Sequence, residues 1–183
     1  VETYNRLPRG SKTIFIAFNK HIVNQLQTRL PGCDCKTMHS VGLACVKGYM
    51  SGARIDEHKL PDLVDEWMTS VAPLWLPVKF YGTFAGMVKR VVEFSRLTLT
   101  DLTNEEATDR MFDHFGLWSD VGSLSDEADL HFDLIADRLV FTAKDVLKTS
   151  NQAFERRGLI DFTDMVYLPA KYNMTAHQTK HTQ

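Results

Sequence analysis

Little in this sequence staples or anchors a chain. It has three cysteines in 183 residues, all between Cys33 and Cys45. An odd number in so short a stretch suits reduced thiols better than a disulfide framework. No apolar run approaches the roughly 20 residues of a membrane helix, and no basic-then-apolar leader opens the chain. The expectation is a cytoplasmic protein with no membrane partner. An excess of one charge is also missing: the net charge of −2 advertises no nucleic acid, although a local basic face can hide inside a balanced total. There is no glycine-rich loop. "LPRGSKT" has a Gly and a Lys-Thr pair, but neither the spacing nor the preceding strand of a phosphate loop. The seven histidines form no metal-binding helix pair; His177 and His181 are four apart in a polar tail without helical period. No internal repeat is visible.

What is present is apolar mass. Hydrophobic residues make up 44%, with 11 Phe and 3 Trp, enough for a sizeable core in one domain or one and a half. "KTIFIAF" (Lys12 to Phe18) is a β-branched and aromatic run after the turn signal "LPRGS" and reads as a buried strand. "NKHIVNQLQTRLPG" follows as a helix with Ile22, Val23, Leu26 and Leu30 on one face, stopped by Pro31-Gly32. "CDCKTMHSVGLACVKGYM" reads as a second brief strand entering a helix near Ser40. Strand, helix, strand, helix points to a small parallel sheet.

From about Arg54 to Ser150 the period is helical and no strand pattern rises. "PDLVDEWMTSV" stripes Leu63, Val64, Trp67, Met68 and Val71, with Pro61 in a first turn. "FAGMVKRVVEFSRL" stripes Phe84, Met87, Val88, Val91 and Leu97. "TNEEATDRMFDHFG" offers Thr103 as N-cap, Glu106 as its capping-box partner and Gly116 at the end. "SDEADLHFDLIADRLVFTAKDVLKTSNQAF" begins with acids that favour a helix start and reads as one long or two short helices. In "RRGLIDFTDMVYLPAKYNM", Gly158 breaks the helix, and Asp161 caps a short one ended by Pro169. The expected class is mostly α with a small parallel β element.

Several clusters have a chemical and a plain reading. Cys33, Cys35, His39 and Cys45 are metal-capable, but their spacing is not that of paired zinc knuckles, and small buried side chains are the plainer account. Asp161 and Asp164 are spaced to hold a cation, or serve as an N-cap with a first-turn acid. Trp67, Trp75, Phe80, Tyr81 and Phe84 stack on bases or, at helical spacing, form core. Lys89, Arg90 and Arg96 make a cationic patch or a solvated face. Phe18-Asn19-Lys20 leaves the first strand and Thr37 to Ser40 leaves the second, each followed at once by a helix. Strand C-terminal ends of an open parallel sheet face the ligand crevice, and helix N-terminal amides attract anions. Asn19, Lys20, Thr37, His39 and Ser40 therefore suit successive phosphates, or Asn19 and Ser40 are simply N-caps.

"IFIAFNKHIVNQLQTRLP" followed by "KTMHSVGLACVK" resembles motifs Ia and Ib of the UvrD/Rep-like superfamily 1 DNA helicases. "GLIDFTDMVYLP" resembles the segment those enzymes carry shortly before their Walker B strand. Order, spacing and the helical stretch between them fit over nearly the whole chain. The resemblance implies part of a RecA-like domain 1A (1–50), a helical subdomain 1B (51–150) and a return to 1A (151–183). It implies ATP-driven 3′-to-5′ translocation on single-stranded DNA for the full-length parent. It places Phe18, Asn19, Lys20, Thr37, His39 and Ser40 on the single-stranded DNA track, and gives Asp161 and Phe162 a structural role. The departures are large. The Walker A loop, expected just before Val1, and the Walker B "DE", expected just after Gln183, are absent, as is the second RecA-like domain with its arginine finger. Phosphoryl transfer then lacks its cradle, metal and charge stabiliser. The chain is expected not to hydrolyse ATP: ATP and Mg belong to the parent only, no cofactor is expected here, and no residue is assigned a catalytic role. The expected partner is single-stranded DNA, held weakly, with a homo-oligomer as the other possibility. The competing class is a helical protein-interaction or oligomerisation module with no nucleic-acid role.

Overall fold

A computed structural model describes residues 13–175. The turn "LPRGS", the start of the first expected strand at Lys12, and the tail bearing His177 and His181 lie outside them. The described residues form two compact units, one of 13–51 with 168–175, the other Gly52–Tyr167. The protein is mostly helical with small parallel strand pairs.

In the first unit, β1 (Ile14–Ala17) is followed by α1 (Lys20–Arg29), β2 (Asp34–Thr37) and α2 (Met38–Tyr49). The two strands pair in parallel, with Ile14 opposite Asp34 and Ala17 opposite Thr37. Asn19 caps α1, its Oδ1 accepting the Ile22 N–H at 2.9 Å. Gly32, at φ 93°, turns the chain toward β2, a conformation that L side chains resist. Helix α2 begins earlier than its serine suggests. Thr37 is the N-cap, its Oγ1 accepting the Ser40 N–H at 3.1 Å. Ser40 is inside the first turn, its hydroxyl donating back to the Thr37 carbonyl.

Ala17, Val23 and Cys35 form a small core with Phe15, Leu26 and Cys33 packed against it. Residues alternate across a strand, so this core uses one face of the pair. The other face carries Ile14 and Ile16, 44% and 50% exposed. The expected buried strand is thus covered on one side only, because a two-strand pair has a single crossover helix to lay against it. Tyr49 and Tyr172 stack with centroids 6.3 Å apart.

The second unit opens with β3 (Arg54–Ile55), which pairs in parallel with β4 (Leu159–Ile160). No strand was expected at Arg54, since two residues cannot display a period. Between them run α3 (Lys59–Ser70), α4 (Tyr81–Thr98), α5 (Glu105–Phe115), α6 (Leu117–Ala128) and α7 (Phe132–Arg157). Helix α8 (Asp164–Lys171) begins in this unit. Residue 150 lies within α7.

Helix α7 packs against α3, α4 and α6. Their apolar stripes meet in one core that includes Val64, Phe84, Val88, Phe112, Ile135 and Leu139. Full burial of each such side chain stabilises by about 1.5–3 kcal/mol. Leu97, expected on the α4 stripe, is 63% exposed. The stripe continues instead through Val92 and Ser95 to Arg96.

Two helix starts differ from expectation for local reasons. Asn104, not Thr103, caps α5, accepting the Ala107 N–H at 3.0 Å. The Thr103 hydroxyl is already committed to Asp101, whose carboxylate also accepts the Thr103 N–H. The cap therefore shifts by one and Glu106 closes no capping box with Thr103. Ser125, Asp126 and Glu127 belong to the last turn of α6, where acids oppose the helix dipole. Asp129, at φ 54°, ends that helix, and α7 starts at Phe132. Gly116 and Gly158 close α5 and α7 in left-handed geometry, as expected of glycine. Pro169 lies inside α8 instead of ending it. No helix among the described residues is long and apolar enough to cross a membrane.

Candidate nucleic-acid interface

Because Ala17 pairs with Thr37 in parallel register, the two segments leave the sheet side by side. Neighbouring strands run about 4.8 Å apart, so Phe18-Asn19-Lys20 adjoins the start of α2. Phe18, Asn19, Lys20 and Ser40 are exposed, and Thr37 and His39 are half-buried. Phe18 presents the barest ring, 77% exposed. All six expected track residues thus lie along one end of one strand pair.

Their chemistry divides. The Asn19 and Thr37 side-chain oxygens are occupied as caps, and the Ser40 hydroxyl donates to the Thr37 carbonyl. The cap reading holds for Asn19 and passes from Ser40 to Thr37. Caps leave the first amides of each helix without intrahelical acceptors, at Lys20 and His21 in α1 and at Met38 in α2. The Lys20 ammonium adds a mobile cation, and Phe18 supplies a flat apolar face. Together these match an anionic backbone carrying planar groups.

The other candidate clusters come out differently. Lys89 is 3.8 Å from Asp65, and Arg90 is paired with Asp120 while lying over the Phe94 ring. Arg96 is 1% exposed. The expected cationic patch is therefore two neutralised side chains and one buried one. The aromatics are core: Trp75 meets Phe84 edge-on at 5.0 Å, and Trp67 lies 6.3 Å from the same ring. Trp67, Phe80 and Phe84 are buried, and Trp75 and Tyr81 pack partly buried against the same cluster. The cysteines are free thiols, with Cys35 and Cys45 buried. Among the described residues no three His, Cys, Asp or Glu side chains gather as metal ligands. Burial, with Cys33 and Asp34 adding to it, raises the Cys35 thiol above its ordinary value.

Sequence reasoning missed a buried ionic cluster in the helical unit. Lys59 Nζ lies 2.6 Å from Asp164 Oδ2. Arg96 Nη1 donates to Asp161 Oδ2 at 2.7 Å and Asp164 Oδ1 at 3.1 Å. The two aspartates also cap each other's backbone: the Asp164 N–H donates to Asp161 and the Asp161 N–H to Asp164. Asp161 thus acts as the expected cap in a reciprocal capping box. Every carboxylate oxygen of the pair has a protein donor, so the cations these aspartates hold are Lys59 and Arg96. All four residues are at most 6% exposed. Burial alone lowers the Arg96 pKa, but the charges and hydrogen bonds of Asp161 and Asp164 outweigh it and raise the group above its ordinary value. One signal was available: Arg96 continues the Phe84–Val88–Val92 line, where a solvated arginine does not belong.

No protein-family model, curated protein or solved structure matches the chain.

Proposed function

We propose that this chain is part of a UvrD/Rep-like superfamily 1 DNA helicase. On this reading β1, α1, β2 and α2 belong to RecA-like domain 1A, and the helical unit is subdomain 1B. The chain contributes a strip of the single-stranded DNA track and does not itself hydrolyse ATP, which with Mg acts only in the full-length parent. The observation that carries the reading is the juxtaposition of Phe18-Asn19-Lys20 with Thr37 to Ser40. Phosphates sit against the paired helix N-termini and Lys20, and a base stacks on Phe18.

The test is fluorescence anisotropy of a labelled oligothymidine at low salt. Affinity falls steeply as salt rises, by a log-log slope of about −0.7 per phosphate contact. Lys20→Ala lowers that slope by about one contact. Phe18→Ala weakens binding by about 1–3 kcal/mol at all salts, as loss of one stacked base does. Absence of binding at low salt, or binding indifferent to both substitutions, sinks the reading.

A second reading is favoured by the open face of β1. Ile14 and Ile16 are 44% and 50% exposed, an apolar row suited to association between copies. A stable homodimer in sedimentation equilibrium, with no oligothymidine affinity, supports an oligomerisation module.

A further inference from the structure

Charge is distributed unevenly along the helical unit. Between Asp101 and Asp137 stand eleven of the chain's 23 acidic residues and one of its 21 basic ones, Arg110. That stretch comprises α5, α6 and the opening turns of α7. A groove of about 740 Å3 opens on these three helices, within the range of about 300–1,000 Å3 that ligand pockets occupy. Its apolar lining includes Trp118, Leu134, Val140 and Phe141. Phe141 is 58% exposed, and the other three are half-buried.

Carboxylates border this apolar strip. Glu105 and Asp109, one turn apart on α5, and Asp137 on α7 line the same groove and are exposed. Among the described residues no ion pair reaches any of the three, whereas Glu106 is paired with Arg110 and Asp120 with Arg90. Of the two bases in the lining, Arg138 lies over the Trp75 ring at 6.0 Å. Lys144 stands seven residues, two turns, along α7 from Asp137. An acidic border of this kind repels phosphate and attracts ammonium or guanidinium. An exposed ring beside half-buried apolar side chains in a groove among helices suits a further helix that inserts residues at three- and four-residue intervals.

We propose that the groove formed by α5, α6 and α7 docks a cationic amphipathic helix of a partner protein. Its apolar stripe rests on Phe141, Val140, Leu134 and Trp118. Its lysines or arginines meet Glu105, Asp109 and Asp137.

The probe is a fluorescein-labelled Leu/Lys peptide of about five helical turns with amphipathic spacing, titrated with the full chain at physiological salt. A scrambled peptide of the same composition and a Leu/Glu peptide of the same spacing are the comparisons. The amphipathic Leu/Lys peptide is expected to bind about tenfold or more tighter than either, the scale of one buried anchor. Phe141→Ser, and separately Glu105→Lys with Asp137→Lys, each weaken it about tenfold. Asp126→Lys with Glu127→Lys reverses as much charge on the last turn of α6, outside the groove lining, and leaves affinity within about twofold. Equal binding of the scrambled or Leu/Glu peptide overturns the proposal, as does an equal loss from the α6 reversal. Self-association abolished by Phe141→Ser, with no peptide binding, assigns the groove to a second copy and overturns it too.

Discussion

Asp164→Ala is the sharpest test of how the helical unit is held together. The substitution removes one carboxylate that serves Lys59 Nζ, Arg96 Nη1 and the Asp161 N–H. Lys59 and Arg96 stay behind, 4% and 1% exposed; Arg96 keeps Asp161, and Lys59 loses its Asp164 carboxylate. Breaking a buried pair by deleting one partner costs about 3–5 kcal/mol, because the survivor is left desolvated and uncompensated. Little solvent screening reduces that figure at this burial. For a chain of this size each kcal/mol moves Tm by about 2–4 °C, so a fall of roughly 6–20 °C follows. Urea unfolding followed by far-ultraviolet circular dichroism reads the same loss as a lower midpoint at unchanged slope. Asp62→Ala, which removes an exposed first-turn acid on α3, is the control and shifts stability by about 0.5 kcal/mol or less. Arg96 adds no slope with pH across the neutral range. Its folded pKa is raised, so its contribution is fully present below the unfolded arginine value and lost only as pH climbs through the folded one. A loss under about 1 kcal/mol for Asp164→Ala, or equal losses for both variants, refutes the argument that this cluster clamps the unit.

Further outcomes follow from single positions. Asn104→Ala costs about 1 kcal/mol by removing the α5 cap, whereas Glu106→Ala costs no more than an exposed ion pair, about 0.5 kcal/mol; thermal unfolding of the two variants separates them. Gly158→Ala, at φ 65°, destabilises by about 1 kcal/mol, measurable as a midpoint shift in urea. Thiol labelling at neutral pH modifies half-buried Cys33 before buried Cys35 and Cys45. Cys35 labelling accelerates toward high pH, since its raised value keeps the thiolate scarce; equal rates at all three would refute the burial assignment.

The parts legible in the sequence are those written in short-range chemistry. The β-branched run at Ile14 to Ala17, the Asn19 cap and the glycines at 116 and 158 all act within a few residues of themselves. The placement of Phe18-Asn19-Lys20 and of Thr37 to Ser40 was legible for the same reason, since each segment joins a strand end to a helix start. What escaped notice depends on partners far along the chain. Ile14 and Ile16 mark a strand but not which face has a cover. Ser125 to Glu127 looked like a helix start because acids favour one; the turn at Asp129 places them at an end. Lys59 and Asp164 are 105 residues apart, and nothing near either names the other. Arg96 was misplaced by its charge, although its position on the α4 stripe puts it inside.

The pairing of β3 with β4 has a topological consequence. The Arg54 N–H donates to the Gly158 carbonyl at 2.9 Å, and the Asp56 N–H to the Ile160 carbonyl at 2.8 Å. The ends of the helical unit therefore adjoin, so it closes on itself like a loop tied at its neck. Closing a loop of that length costs about 4 kcal/mol of chain entropy, and four backbone residues in register cannot offset it alone. The Lys59–Asp164 contact, at 2.6 Å, ties the same neck from inside. A unit whose two ends meet can be cut out, joined across by a few residues, or grafted into another chain without reorganising its core.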